Sequence, residues 1–252
     1  MIEPALLQKI SYAWILLGIV IFPILLFVKQ PYGRHYRKGW GPSLSNRTAW
    51  IVMEIPSLIL IAYFYFWHSN YNLIASILTI MWLGHYINRT LIFPFRIKTK
   101  GKRMPLIIVV FGIFFNLVNA TLNGMYISMS DFGPGFSGYQ IMGMVVGILL
   151  FMSGMILNML SDKNLIGLRK SSANGYQIPR NGLFEWISCP NYFGEIIEWT
   201  GFAILAWNPA ALSFAVWTIV NLLPRALDHH KWYKSTFKDY PEKRKAIIPF
   251  IL

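Results

Sequence analysis

Seven apolar stretches constrain this chain more than anything else in its sequence. They fall at about 11–28, 49–67, 71–93, 106–128, 139–160, 191–207 and 209–223. Each is close to the ~20 apolar residues a helix needs to cross roughly 30 Å of hydrocarbon. Lys and Arg collect in alternate gaps between these stretches. The first gap holds Lys29, Arg34, Arg37, Lys38 and Arg47, and the third holds Arg96, Lys98, Lys100, Lys102 and Arg103. The fifth holds Lys163, Arg169, Lys170 and Arg180, and the tail holds Arg225, Lys231, Lys234, Lys238, Lys243, Arg244 and Lys245. Of the 23 basic residues, all but Lys9 and Arg89 therefore lie on one side of a seven-span arrangement. The opposite side has Lys9, Ser69-Asn70, a Gly-rich loop around Asp131, and Asn208-Pro209. The positive-inside rule puts that basic side in the cytosol, so the N-terminus is outside and the C-terminus cytosolic. Six spans or eight would spoil the asymmetry. The expected fold is an all-α polytopic membrane protein with seven transmembrane helices, forming a single domain over 1–252. The leader before Tyr12–Val28 is near-neutral and has no small-residue cleavage pattern, so the first run reads as a retained span and not a signal peptide.

Composition excludes several classes. With 55% hydrophobic and only 13% charged residues, the chain is too apolar for an ordinary soluble domain. A net charge of +13 would suit nucleic acid, but a nucleic-acid binder gathers its cations on one soluble face. Here they lie between spans, so membrane lipids and not nucleic acid are expected as partners. Cys189 is the only cysteine, which leaves no disulfide frame and no thiolate metal site. His229-His230 point to different helix faces with no third ligand spaced to join them, so no metal is expected. Gly133-Pro134-Gly135-Phe136-Ser137-Gly138 matches a dinucleotide fingerprint in letters only, because no strand precedes it. Gly143 and Gly147 read as helix packing. Asn46-Arg47-Thr48 and Asn88-Arg89-Thr90 match a glycosylation pattern but fall on the cytosolic side or inside the membrane.

The chemistry-bearing residues cluster. Ser188 can cap a helix and Pro190 suits its first turn. Asn191, Glu195 and Glu198 then share one stripe of the helix they start. Carboxylates in or beside hydrocarbon are costly, which makes them functional candidates. Glu54, just before Pro56 in the second span, is another, with Tyr86 or Arg89 across a short hairpin as its natural partner. A buried Glu–Arg pair without chemistry is the plain alternative. Asn158 and Asp162 stand at i, i+4 on the end of the fifth span, ahead of an irregular basic segment with Arg169, Tyr176 and Gln177-Ile178-Pro179-Arg180. In the tail, Arg225, His229 and Tyr233 fall at i, i+4, i+8.

These motifs resemble the membrane steroid 5α-reductases from about Ala49 to the C-terminus. The likeness is densest in Leu183-Phe184 through Asn191-Tyr192-Phe193-Gly194-Glu195-Ile196-Ile197-Glu198-Trp199, and in Phe237-Lys238-Asp239-Tyr240-Pro241 with Arg244-Lys245-Ala246-Ile247-Ile248-Pro249-Phe250. Ala49-Trp50, Glu54-Ile55-Pro56-Ser57, His85-Tyr86 and Arg89-Thr90 also match. The resemblance implies NADPH-dependent reduction of the C4–C5 double bond of 3-oxo-Δ4 steroids to 5α products. It implies that Glu54 and Tyr86 are catalytic and hydrogen-bond the 3-oxo group, with Trp50 and Trp199 near the substrate. It implies that Asn158, Asp162, Arg169, Tyr176, Asn191, Glu195, Arg225, His229 and Tyr233 surround NADPH, in a seven-helix bundle entered by the cofactor from the cytosol. A monomer in a bacterial inner membrane or the endoplasmic reticulum is expected.

The chain departs from the family pattern at four positions. Met53 replaces a common Gln and leaves Glu54 one polar partner fewer. Gln177 replaces a common Arg, and Trp217 and Asn221 replace aromatics expected near the steroid. In the expected mechanism hydride reaches C5 while Tyr86, tuned by Glu54, stabilises charge arriving on the ketone oxygen, usually the largest catalytic term. The enolate is then protonated at C4. The rival readings are a reductase of another enone or polyprenol lipid, an isoprenylcysteine-type methyltransferase using S-adenosylmethionine, and a proton-coupled transporter. The transporter lacks any visible internal repeat.

Overall fold

The computed structural model describes residues 2–28, 39–68, 71–98, 101–129, 137–171 and 176–252. The basic residues Lys29, Arg34, Arg37, Lys38 and Lys100, the Ser69-Asn70 gap and the loop around Asp131 with most of the Gly133–Gly138 motif lie outside the described residues. The described backbone is almost wholly helical: α1 (Pro4–Phe27), α2 (Asn46–His68), α3 (Leu73–Ile87), the short α4 (Phe93–Arg96), α5 (Leu106–Met129), α6 (Gly138–Ser171), α7 (Pro190–Ala206) and α8 (Pro209–Thr236). Among the described residues, five helices are long and apolar enough to cross a membrane: α1, α2, α5, α6 and α8. The apolar runs at 71–93 and 191–207 also become helix, but as α3 with 15 residues and α7 with 17.

Local chemistry explains the helix ends. Ser45 caps α2 through Thr48 N at 3.2 Å, and Asn72 caps α3 through Ala75 N at 2.8 Å. Ser137 and Gln140 form a reciprocal capping box at the head of α6, with Ser137 N donating to Gln140 Oε1 at 2.9 Å. Asn208 accepts from Ala211 N at 2.9 Å with Pro209 in the first turn of α8. Ser188 is the expected cap of α7. The Ser188 hydroxyl is committed elsewhere, to Lys245 O, His230 and Tyr240.

The chain divides into two compact units. The first comprises residues 1–13, 29–142 and 206–211, and is built on α2 packed along α5. Glycine makes this contact close. A Cβ on Gly112 would lie 2.1 Å from the Met53 side chain, and one on Gly124 would lie 2.4 Å from Phe64. Beside them β1 (Ser43–Ser45) pairs antiparallel with β2 (Arg103–Pro105), Leu44 opposite Met104. A π-helical turn at Asn88–Ile92 joins α3 to α4. This wider turn was not foreseen from the apolar run, which continues through it unbroken.

The second unit comprises 14–28, 143–205 and 212–252. Its α6 and α7 approach to backbone contact. A Cβ on Gly154 would lie 2.4 Å from Glu198 N, and one on Gly201 would lie 2.5 Å from Phe151 N. Gly147 joins this seam, as expected from its motif, but a Cβ on Gly143 would meet nothing within 4 Å among the described residues. Trp199 is buried against Phe151, Phe202 and Phe214. The Trp217 indole N–H donates to Trp14 O at 2.9 Å.

Candidate active site

Each unit gathers one group of the expected site residues. In the first, α2 carries Trp50 and Glu54, α3 carries Tyr86, and α5 contributes a residue the sequence reading missed, Asn116. Asn116 Nδ2 donates to Met53 O at 2.7 Å and to Glu54 Oε2 at 3.3 Å. Its Oδ1 accepts from Ser57 Oγ at 2.9 Å and from the Tyr86 hydroxyl at 3.3 Å. Pro56 removes the rung to the Val52 carbonyl from the α2 ladder, and the neighbouring Met53 carbonyl accepts the Asn116 side-chain donor. Tyr86 is buried and stacked on Trp82 at 5.2 Å, and Trp82 in turn donates its indole N–H to Ser57 O at 3.1 Å. Trp50 donates to Arg89 O at 3.0 Å, and the Arg89 guanidinium sits 4.8 Å from the Trp50 ring centre. That carbonyl belongs to the π turn, where the widened ladder frees backbone groups for such contacts. Asn116, Asn119 and Asn123 are all buried on one stripe of α5. Three amides at helical spacing in an apolar run were the signal that could have found Asn116.

In the second unit, α6 does not end near residue 160 but runs 34 residues to Ser171. Asn158, Asp162 and Arg169 therefore share one helical stripe, and Arg169 is on a helix instead of in an irregular loop. The facing α7 supplies Asn191 and Glu195. Asn158 Nδ2 donates to Asn191 O at 3.0 Å and to Glu195 Oε2 at 3.2 Å, and Asn191 Nδ2 donates to Asp162 Oδ1 at 3.1 Å. This amide–carboxylate ladder lies where Gly154 and Gly194 let the two backbones meet. Glu198, one turn on, is fully buried in the seam.

On α8, Arg225 and His229 are half-buried and Tyr233 is buried. His229 Nε2 lies 3.2 Å from the Tyr192 hydroxyl of α7. Tyr176 brings its segment in through its ring, 5.1 Å from Trp232, with the Arg169 guanidinium 5.6 Å from the Tyr176 ring centre. The expected residues of this unit thus come from α6, α7, α8 and the 176–180 segment. Trp217 and Asn221 also belong to it, and each is engaged in packing: Trp217 against Trp14 and Gly18, Asn221 on the Trp217 carbonyl.

The chain's end is strapped to the start of α7. Ser188 N donates to Lys245 O at 2.8 Å and Cys189 N to Ala246 O at 3.1 Å. The Ser188 hydroxyl also reaches Lys245 O, at 3.1 Å, and shares hydrogen bonds with the Tyr240 hydroxyl and His230 Nδ1, both at 2.6 Å. Burial pushes the Tyr240 phenol above its ordinary value, against the opposing effects of the Ser188 hydrogen bond and nearby Arg244. Arg244, itself buried, donates to Pro179 O at 3.0 Å and so ties the tail to the segment bearing Tyr176.

Apolar helices of membrane-crossing length that bury carboxylates and amides define the class: a multi-pass membrane protein with polar sites built into its interior. The 3-oxo-5-alpha-steroid 4-dehydrogenase family matches residues 102–252. Steroid 5-alpha-reductase DET2 of Arabidopsis thaliana is 41% identical over 237 residues, covering 90% of each chain. The 3-oxo-5-alpha-steroid 4-dehydrogenase 1 of Bos taurus is 38% identical over 275 residues, covering 99% of this chain and 98% of that protein. The human protein of the same name is 38% identical over 261 residues, covering 99% and 96%. The chain belongs to the 3-oxo-5-alpha-steroid 4-dehydrogenase family. It is an oxidoreductase acting on a CH–CH group.

Proposed function

We propose that this protein reduces the C4–C5 double bond of 3-oxo-Δ4 steroids to 5α products, using NADPH, as a seven-span membrane enzyme with its C-terminus in the cytosol. The observation that carries the reading is the network joining half-buried Glu54 to buried Asn116 and Tyr86, polar groups set among apolar helices. A lipid-soluble ketone entering from the bilayer suits such a site. An enone accepts hydride at its β-carbon only if charge arriving on oxygen is stabilised, and a preorganised phenol in a water-poor site does this at little reorganisation cost. Tyr86 is assigned the hydrogen bond to the 3-oxo oxygen, Glu54 the tuning of that phenol, and Trp50 a wall of the steroid site.

The second unit's residues fit a dinucleotide. Arg169, Arg225 and His229 offer cationic or donor groups for phosphates, where a guanidinium's fork suits bidentate contact. Asn158, Asn191, Asp162 and Glu195 offer paired donors and acceptors for ribose hydroxyls and a carboxamide, and Tyr176 and Tyr233 offer ring faces and hydroxyls. Trp199, buried in an aromatic cluster, is assigned to the supporting wall on the substrate side. When bound, NADPH supplies the hydride.

The test is NADPH consumption by purified protein in lipid nanodiscs given testosterone, with product stereochemistry read by NMR. A steroid-dependent 5α product is expected. Glu54→Gln and Tyr86→Phe should each lower kcat by about 100-fold or more, the scale of losing one oxyanion donor, while leaving the NADPH Kd unchanged. Wild-type turnover in either variant would refute the assignment. NADPH binding without steroid reduction would point to another enone or a polyprenol lipid as substrate.

A further inference from the structure

Asn116 makes two kinds of bond. The Met53 backbone carbonyl can only accept, so its contact at 2.7 Å fixes which end of the amide is nitrogen. The oxygen end then faces Ser57 Oγ at 2.9 Å and the Tyr86 hydroxyl at 3.3 Å, and both must donate to it. The second N–H goes to Glu54 at 3.3 Å. Both N–H groups and both lone pairs of this buried amide are thereby engaged. Its two short bonds go to groups with no part in the proposed chemistry. Its two long ones go to the pair assigned to catalysis, and hydrogen bonds weaken toward this length.

We infer that Asn116 is a positioning residue for the reaction: it is anchored through Met53 and Ser57, holds the Glu54 carboxyl and the Tyr86 hydroxyl against one amide, and yields its place as acceptor of the Tyr86 proton to the steroid ketone. This rests on the assignment of Glu54 and Tyr86 made above. A phenol has one proton, and in the structure it points to Asn116 Oδ1. A ketone that takes this proton displaces a long bond. Asn116 Oδ1 is not stranded by the exchange, because Ser57 still donates to it at 2.9 Å. An acceptor left bare in a buried site would otherwise weaken substrate binding. The stack of Trp82 on Tyr86 holds the ring while the hydroxyl changes acceptor.

The experiment uses full-length protein in nanodiscs, with testosterone and NADPH as probes. Asn116→Leu should lower kcat about 10–100-fold, the loss of one or two oriented hydrogen bonds, with the NADPH Kd within about threefold of wild type. The decisive readout is the same change in the Tyr86→Phe background. A residue acting through Tyr86 costs little further there, whereas one that merely supports the fold costs the same factor in both. Ser57→Ala is the second variant and serves if Asn116→Leu does not fold. It removes the substitute donor, so the ketone must strand Oδ1, and the steroid Kd should rise about 5–10-fold with the NADPH Kd unchanged. Equal losses from Asn116→Leu in both backgrounds, or an unchanged steroid Kd in Ser57→Ala, overturn the inference. If Glu54→Gln and Tyr86→Phe are themselves fully active, the underlying assignment fails instead.

Discussion

Replacing Gly154 by Ala should damage cofactor binding without touching any residue assigned to it. A Cβ at Gly154 would lie 2.4 Å from Glu198 N and 2.5 Å from Gly194 O, against about 3.5 Å for ordinary contact. Both neighbours are backbone, so no side chain can rotate away, and α6 and α7 must part by about 1 Å at this point. Overpacking of this kind costs about 1–3 kcal/mol, which at this chain length lowers Tm by about 3–10 °C. The strain falls one turn from Asn158, whose bonds to Asn191 O and Glu195 are 3.0 and 3.2 Å long and have no length to spare. The NADPH Kd should therefore rise about 10-fold, one lost charge-assisted contact. The control is Gly143→Ala on the same helix, where a Cβ meets nothing within 4 Å among the described residues. It should leave Kd unchanged and stabilise slightly, by at most about 1 kcal/mol of helix propensity. Thermal denaturation and cofactor titration on the two variants decide the matter. If Gly154→Ala matches Gly143→Ala in both, the α6–α7 seam does not set the ladder's geometry.

Two further outcomes follow from buried side chains of the second unit. Trp199→Ala should cost about 3–5 kcal/mol, because the indole is buried among Phe151, Phe202 and Phe214 and its removal leaves a cavity, read as a lower denaturation midpoint. Tyr240 predicts an alkaline limb to stability. Its folded pKa is raised by burial, so above about pH 10 the unfolded chain gives up this proton first, and stability present at neutral pH is lost as pH rises. Tyr240→Phe should flatten that fall above about pH 10, and should cost about 1 kcal/mol at pH 7.5 through the lost bond to Ser188. A variant with the wild-type slope would place the alkaline sensitivity elsewhere.

Much of this architecture was legible in the spacing of apolar residues. All seven runs became helix in the described residues, five of them long and apolar enough to cross a membrane, and polar residues at their bounds supply caps, such as Asn72 and Asn208. The polar stripe Arg225, His229, Tyr233 needed only helical periodicity to be placed on one face of α8. Features that depend on a second element were harder. Asp162 and Arg169 lie beyond the apolar run, so hydropathy ended α6 early, whereas polar residues continue a helix where a neighbouring one receives them, as Asn191 receives Asp162. Ser188 has the composition of a cap, but the tail offers it stronger bonds than the helix end does. The π turn leaves no compositional trace, and the amide stripe Asn116, Asn119 and Asn123 gains a functional meaning only where Glu54 and Tyr86 are seen on either side of Asn116.

The length of α6 has a consequence for where this protein works. Its 34 residues make a rod of roughly 51 Å, well beyond the ~30 Å of hydrocarbon in a bilayer. The apolar run sets its depth in lipid and carries Asn158 near its end, and the polar turns beyond carry Asp162 and Arg169, so the same helix enters the membrane and presents the ladder. Thickening the bilayer with longer acyl chains draws more of that rod into oil and brings its charged turns toward the headgroups, a mismatch relieved by tilt or by local thinning. Nanodiscs of longer-chain lipid are therefore expected to shift the geometry of the polar ladder, read as a change in cofactor affinity against short-chain nanodiscs.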